Sequence, residues 1–482
     1  MGKMTRRLRS GGHSFLSRRV MSAVCLFGSV EGVKMLCMLV RNKMAAYLIG
    51  TAGFGLLGIL SNTINLLSTL CEMSLLTVGV REIASSPEEE RPGTIAFILR
   101  YGRWLAAVGM AVTLALAPIL SYCIFDSMAY AATFMVISIA VACNILASSH
   151  RAVLQGEGRL GAIARAVTWS TVIGLALAVA FLWLFHEDGV MPMLVSYSVV
   201  LFLSFLFFNN KKQLPAVSLS EVKSRATAAV RLGFFITLSG VGSWLSTLVL
   251  MIWINHVGST TAVGLYEVGQ TLTVRYVGVV FAALSIEFFP RLSAAFSAGR
   301  LRARVMMRHE AALSVVVVTA LCSLLIPLAP LIVEMLYNRT FLDVVPMVVW
   351  ACPGIILRAA SWSMAYLLVA DGRGKIYLAT EVTSAVLCVL IMGSGYKLFG
   401  MVGLGIGFSL WYLGYTLIIW AVLRSIYRLG LGLKVWVLCF SAVAAIALVA
   451  VSSVFFEPVV TATLAALVFI TAAVILFRQV IS

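Results

Sequence analysis

The chain has 482 residues, 61% of them hydrophobic and 11% charged, with a mean hydropathy of +1.02. That composition excludes a water-soluble globular protein and calls for helices of roughly 20 apolar residues, each crossing a bilayer core about 30 Å thick. The net charge of +17 belongs to topology, with some affinity for anionic inner-leaflet lipids, and excludes nucleic acid as the reason for the basic residues.

In chain order the apolar runs predict spans at 20–40, 54–79, 104–123, 128–148, 163–184, 190–208, 232–254 and 264–288. A second set follows at 311–333, 344–370, 376–394, 401–423, 435–455 and 459–477. Lys and Arg gather in alternate gaps. With the N-terminus inside, the inner gaps hold 29 of the 36 cations and the outer gaps only Arg41, Lys43, Arg339 and Lys397. Lys34, Arg275 and Arg358 fall within spans. The positive-inside rule then puts both termini in the cytoplasm. Glu31 and Lys34 interrupt the first apolar run and no small-residue cleavage site follows, so it reads as an uncleaved helix. The nine cysteines lack any C-x-x-C spacing and read as small hydrophobes.

The two halves share ordered anchor points. Gly50–Leu56 after the first span matches Gly258–Tyr266 after the seventh. Val80-Arg81-Glu82 matches Pro290-Arg291-Leu292, and Gly156-Glu157-Gly158-Arg159 matches Asp371-Gly372-Arg373. The offsets run from 208 to 214 residues. Six spans separate the copies, so they have the same topology and a pseudo-two-fold along the membrane normal is expected, with a cavity at mid-depth. The resulting division is an N-terminal lobe at 1–208, a linker at 209–231, a C-terminal lobe at 232–424, and two further spans in 425–482.

Ionisable residues inside a bilayer cost about 2.5–3.5 kcal/mol each on insertion scales and mark function or buried pairs. Span 1 carries Glu31 and Lys34, three apart and able to pair, either as an aid to insertion or as a cavity cation with its carboxylate. Span 2 carries Asn62, Asn65, Thr69 and Glu72 within roughly 80° of arc, a stripe that either lines water or glues helices. Span 8 carries Glu267, Gln270 and the deep Arg275, whose planar fork suits a phosphate. Glu287, four residues before Arg291, reads as an interfacial pair. Arg358 in span 10 follows Pro353-Gly354, and Glu381 in span 11 sits beside Thr380 and Ser384, as a site for a coupling cation or for hydrogen bonding.

No P-loop is present, the five histidines have no metal spacing, and the loops are too short for a catalytic domain. A carrier without cofactor or metal is expected, not an enzyme.

Residues 44–85 with Val80-Arg81-Glu82-Ile83-Ala84, Leu232-Gly233, Gly264-Leu265-Tyr266 and Phe288-Phe289-Pro290-Arg291-Leu292-Ser293 resemble polysaccharide (O-antigen type) lipid-linked oligosaccharide flippases. These belong to the multidrug/oligosaccharidyl-lipid/polysaccharide exporter superfamily. The resemblance implies an all-α polytopic protein of 14 transmembrane helices, two pseudo-symmetric six-helix lobes plus two C-terminal helices, like the multidrug and toxin exporters (MATE). It also implies movement of an undecaprenyl-diphosphate-linked oligosaccharide across a bacterial inner membrane, with H⁺ or Na⁺ as coupling ion and other glycan-assembly proteins as partners. Related flippases place cavity cations in spans 1, 2 and 8; Lys34 and Arg275 match by span, whereas span 2 offers Glu72. On this reading Lys34, Arg275 and Arg358 hold the diphosphate, and Asn62, Asn65 and Gln270 meet the sugar. Glu31, Glu72, Glu267 and Glu381 are candidates for ion coupling. The alternatives are a multidrug cation antiporter of the same superfamily, which would not need Arg275, and a membrane enzyme of glycan assembly.

Overall fold

The computed structural model describes residues 2–209, 215, 219–297, 299–370 and 374–481, with the backbone alone over 2–29, 219–233 and a few further positions. Among the described residues there is no strand. The helices in order are α1 (Gly2–Glu72), α2 (Leu75–Ser85), α3 (Arg91–Phe125), α4 (Ala131–Gly156), α5 (Leu160–Phe185), α6 (Val190–Asn209) and α7 (Leu219–Val257). Then come α8 (Thr260–Gln270), α9 (Val277–Ser297), α10 (Arg300–Leu336), α11 (Val345–Ala370), α12 (Gly374–Tyr427), α13 (Leu433–Phe455) and α14 (Pro458–Ile481).

These helices do not map one to one onto spans. Eleven described helical stretches are long and apolar enough to cross a membrane, and three of them run to 43, 50 and 54 residues. Each of the three is broken once: at Gly50 (φ 63°), at the 3₁₀ turn His186–Gly189, and at Gly400 (φ 58°). The left-handed backbone at Gly50 and Gly400 costs glycine little and turns the chain without a loop. Divided at the breaks, the eleven stretches are consistent with the fourteen expected spans. Large apolar side chains lie on the outside, among them Leu36 (65% exposed) and Phe207 (75%), as suits helices solvated by acyl chains.

Several expected boundaries shift. The gap expected after the first span is helical through Arg41 and Lys43 up to Gly50. Span 2, expected to be continuous over 54–79, breaks at Met73 and Ser74, both with positive φ, directly after Glu72. The linker expected at 209–231 is helical from Leu219 onward, while 210–214 and 216–218 lie outside the described residues. The side chains of Glu287 and Arg291, and the Asp371–Arg373 repeat motif, also lie outside them.

Contacts divide the chain into two compact units that cut α1 and α7 within the helices. The first contains α1 up to Leu48 and from Ile64, then α2 to α6, and α7 up to Thr237. It is built on α3 against α4 and α4 against α6. Close approach rests on small residues: a Cβ at Gly79 would sit 3.0 Å from that of Ala152, the packing mode expected where lipid gives no hydrophobic drive. Ala147, Leu154, Ala162, Ile163, Ala166 and Phe205 form a dry cluster joining α4, α5 and α6. The second unit contains Ile49–Thr63, α7 from Leu238, and α8 to α14. Its centre is α11, packed on α10, α12 and α13, with α14 lying on α10.

Candidate functional site

Within the second unit the half-helix 49–63 of α1 meets α8 along a glycine seam. A Cβ at Gly55 would collide with the carbonyl oxygen of Thr260, and one at Gly264 with that of Thr51. The two contacts are counterparts at a single offset of 209 residues, the offset read from the sequence repeat. A backbone atom cannot move aside as a side chain can, so both positions require glycine. One helical turn on, a Cβ at Gly58 would stand 3.1 Å from the Glu267 side chain. The missing methyl makes room for a carboxylate.

Glu267 is buried, with 5% of the residue accessible. Its Oε1 lies 2.6 Å from Nη1 of Arg275. Eight residues separate the partners, more than two turns, and the intervening backbone is not an ordinary helix. Thr271–Tyr276 form a π turn between α8 and α9. Single π turns inside α-helices recur at functional sites. Side chains on a helix slope toward its N-terminus, so Arg275 reaches back, its Nη1 also donating to Thr271 Oγ1 at 3.1 Å. The Arg275 side chain remains 42% accessible, against 7% for that of Glu267.

Neighbouring side chains brace this stretch. Gln270 Nε2 donates to the Tyr266 hydroxyl at 2.8 Å. Arg358 of α11 donates Nη1 to the Val274 carbonyl at 3.3 Å, with its guanidinium 5.1 Å from the centre of the Phe281 ring. Arg358 therefore holds the backbone that presents Arg275. Behind it, Trp362 lies 5.5 Å from Phe281 and 5.6 Å from Phe288, ring centre to ring centre. On α12, the Tyr415 hydroxyl donates to Glu381 Oε1 at 2.6 Å, and Trp411 Nε1 to Ser384 at 3.0 Å.

The remaining sequence candidates are placed elsewhere. In the first unit Lys34 Nζ donates to both carboxylate oxygens of Glu31, at 2.8 and 3.0 Å, with 42% and 63% of the two side chains accessible. Glu72 ends α1 beside Ser148 and Arg151 of α4, and Asn65 is half-buried. Asn62 takes the helix-gluing alternative of the polar stripe. It is 4% exposed and gives its amide to the Trp244 carbonyl at 3.2 Å, gluing the half-helix to α7. Thus Glu267, Gln270 and Arg275 lie together on the stretch from α8 through the π turn, which Arg358 braces from α11. Tyr266, Thr271 and Gly58 were missed as members; the spacings Tyr266-x₃-Gln270 and Thr271-x₃-Arg275, and the 209-residue step from Gly58 to Glu267, were signals that could have found them.

The fold defined by these helices is that of transporters. The lipid II flippase MurJ in its inward closed conformation superposes with a TM-score of 0.73 at 11% identity, covering 95% of this chain and 100% of that one. An inward-facing multidrug resistance MATE family transporter of the MOP superfamily gives 0.66 at 13%, covering 82% and 95%. A MOP superfamily transporter from Pyrococcus furiosus, described as having a binding pocket of reversed polarity that suggests a different function, gives 0.55 at 13%, covering 86% and 96%. Curated protein sequences yield no significant match. The family described as polysaccharide biosynthesis protein matches residues 44–346, more than half of the chain. The chain belongs to that family, with the all-helical multispan fold shared by flippases and MATE transporters.

Proposed function

We propose that this protein moves a lipid-linked oligosaccharide, carried on undecaprenyl diphosphate, from the inner to the outer leaflet of a bacterial inner membrane by alternating access. One observation carries the reading: the Glu267–Arg275 pair, its carboxylate buried and its guanidinium partly accessible, across a π turn. A diphosphate cannot cross hydrocarbon without compensating charge. Arg275 can offer its whole planar fork to a diphosphate by releasing Glu267, which holds it through Nη1. The abandoned carboxylate then takes a proton or sodium ion, so substrate binding and ion binding are linked through one guanidinium. When the ion leaves, Glu267 reclaims Arg275 and the diphosphate is released. A membrane potential supplies about 2.3 kcal/mol per charge per 100 mV to bias that exchange.

Arg358 acts through Arg275 by fixing the π turn, and Lys34, freed from Glu31, is a separate candidate cation on the first unit. Gln270 stands where a sugar hydroxyl could replace Tyr266. The alternative cation antiporter would use Glu267 directly and have no need of Arg275. Export of surface glycan in cells lacking the native gene separates the two. Arg275→Ala, present in the membrane at normal level, should abolish export, and Arg275→Lys should restore part of it. Undiminished export with Arg275→Ala would overturn the diphosphate reading.

A further inference from the structure

On other elements of the second unit, a pocket of about 510 Å³ brings four arginines together. Arg304 and Arg308 come from the start of α10, Arg424 from the last turn of α12, and Arg428 lies just after it. Trp420 and Trp436 complete its wall, their rings edge to face at 6.2 Å. None of the lining residues is acidic. Four like charges in one wall repel unless an anion sits among them.

The arginines are held in place. Arg308 donates Nε to the Gly430 carbonyl at 2.9 Å, and a Cβ at Gly432 would stand 2.7 Å from its Nη2. Arg424 lies with its guanidinium 5.6 Å from the centre of the Trp420 ring. Arg304 Nε is buried and finds no hydrogen-bond partner in the protein.

The surroundings select the kind of anion. Leu433, in the pocket wall, begins a stripe on α13 that continues through Val437 and Phe440, exposed by 80%, 59% and 48%. Their spacing of four and then three residues puts them on one face of the helix, where a membrane protein meets acyl chains. The charge pattern assigns 291–310 and 424–434 to the cytoplasmic side, where anionic headgroups give the leaflet a negative surface potential. We propose that this pocket binds the phosphate-bearing headgroup of a resident anionic lipid, one with two phosphates matching four guanidinium groups, its chains lying along α13.

The test uses the full chain in phosphatidylcholine nanodiscs doped with cardiolipin, with bound lipid read by native mass spectrometry. The wild type should retain cardiolipin in strong preference to phosphatidylcholine. Arg304→Gln with Arg424→Gln should weaken that preference about thirtyfold, and the exposed Arg424→Gln alone about fivefold. The single variant decides if the double one does not fold. Inorganic pyrophosphate at micromolar concentration should leave the lipid bound. Absence of preference in the wild type, unchanged preference in the variants, or displacement by micromolar pyrophosphate would each overturn the assignment.

Discussion

Two ion pairs among the described residues of the expected spans make an instructive contrast. Glu31 and Lys34 stand three residues apart on one helix, both carboxylate oxygens satisfied, the lysine as accessible as Arg275 and the carboxylate 63% accessible. Glu267 and Arg275 stand eight apart, one buried and the other half open, joined over a π turn that Arg358 holds from α11. The first pair needs nothing but helix geometry. The second needs a glycine seam to seat Glu267, an irregular turn to present Arg275, and a third residue to fix that turn. The proposed exchange at Arg275 rests on that difference.

The contrast can be broken at its support first. Gly264→Ala drives a methyl into the Thr51 carbonyl and should destabilise the protein by about 3 kcal/mol or more, seen as a large fall in melting temperature in detergent; Gly93→Ala, with open space around it, should not. Next, Arg275→Ala strands the buried Glu267 carboxylate, a loss of up to about 3 kcal/mol, and stops export. Tyr415→Phe removes the 2.6 Å bond to Glu381 and should cost about 1.5–3 kcal/mol before relaxation, less if water replaces the hydroxyl. Lys34→Ala should be the mildest in stability, within about 0.5 kcal/mol, while lowering export less than Arg275→Ala does. Should Lys34→Ala unfold the protein instead, the ranking of the two pairs reverses.

Much of this was legible in the chain. Apolar run lengths foretold an all-helical polytopic fold, because they depend on composition and order alone. Gly55 and Gly264 were visible as repeat anchors, and the structure supplies their reason in reciprocal backbone contact. Glu31–Lys34 was readable as a pair since an α-helix fixes i to i+3 distances. Glu267–Arg275 was not, because its reach depends on a π turn that no local pattern announces. For Asn62 the wheel left two readings open, water-lining or helix-gluing, and only packing could choose: α7 supplies a carbonyl for its amide. The arginine pocket was read only as topology, since Arg304 and Arg424 are far apart in sequence and meet through the packing of the second unit.

The partner exchange at Arg275 is tested most directly by equilibrium binding of a short-chain prenyl diphosphate to purified protein, carried out in the Arg304→Gln, Arg424→Gln background so that the arginine pocket contributes little. Glu267→Gln, which frees the guanidinium, should bind about tenfold more tightly than its parent, and Arg275→Ala at least about tenfold more weakly. Equal affinity in all three proteins would contradict a guanidinium that trades Glu267 for a diphosphate.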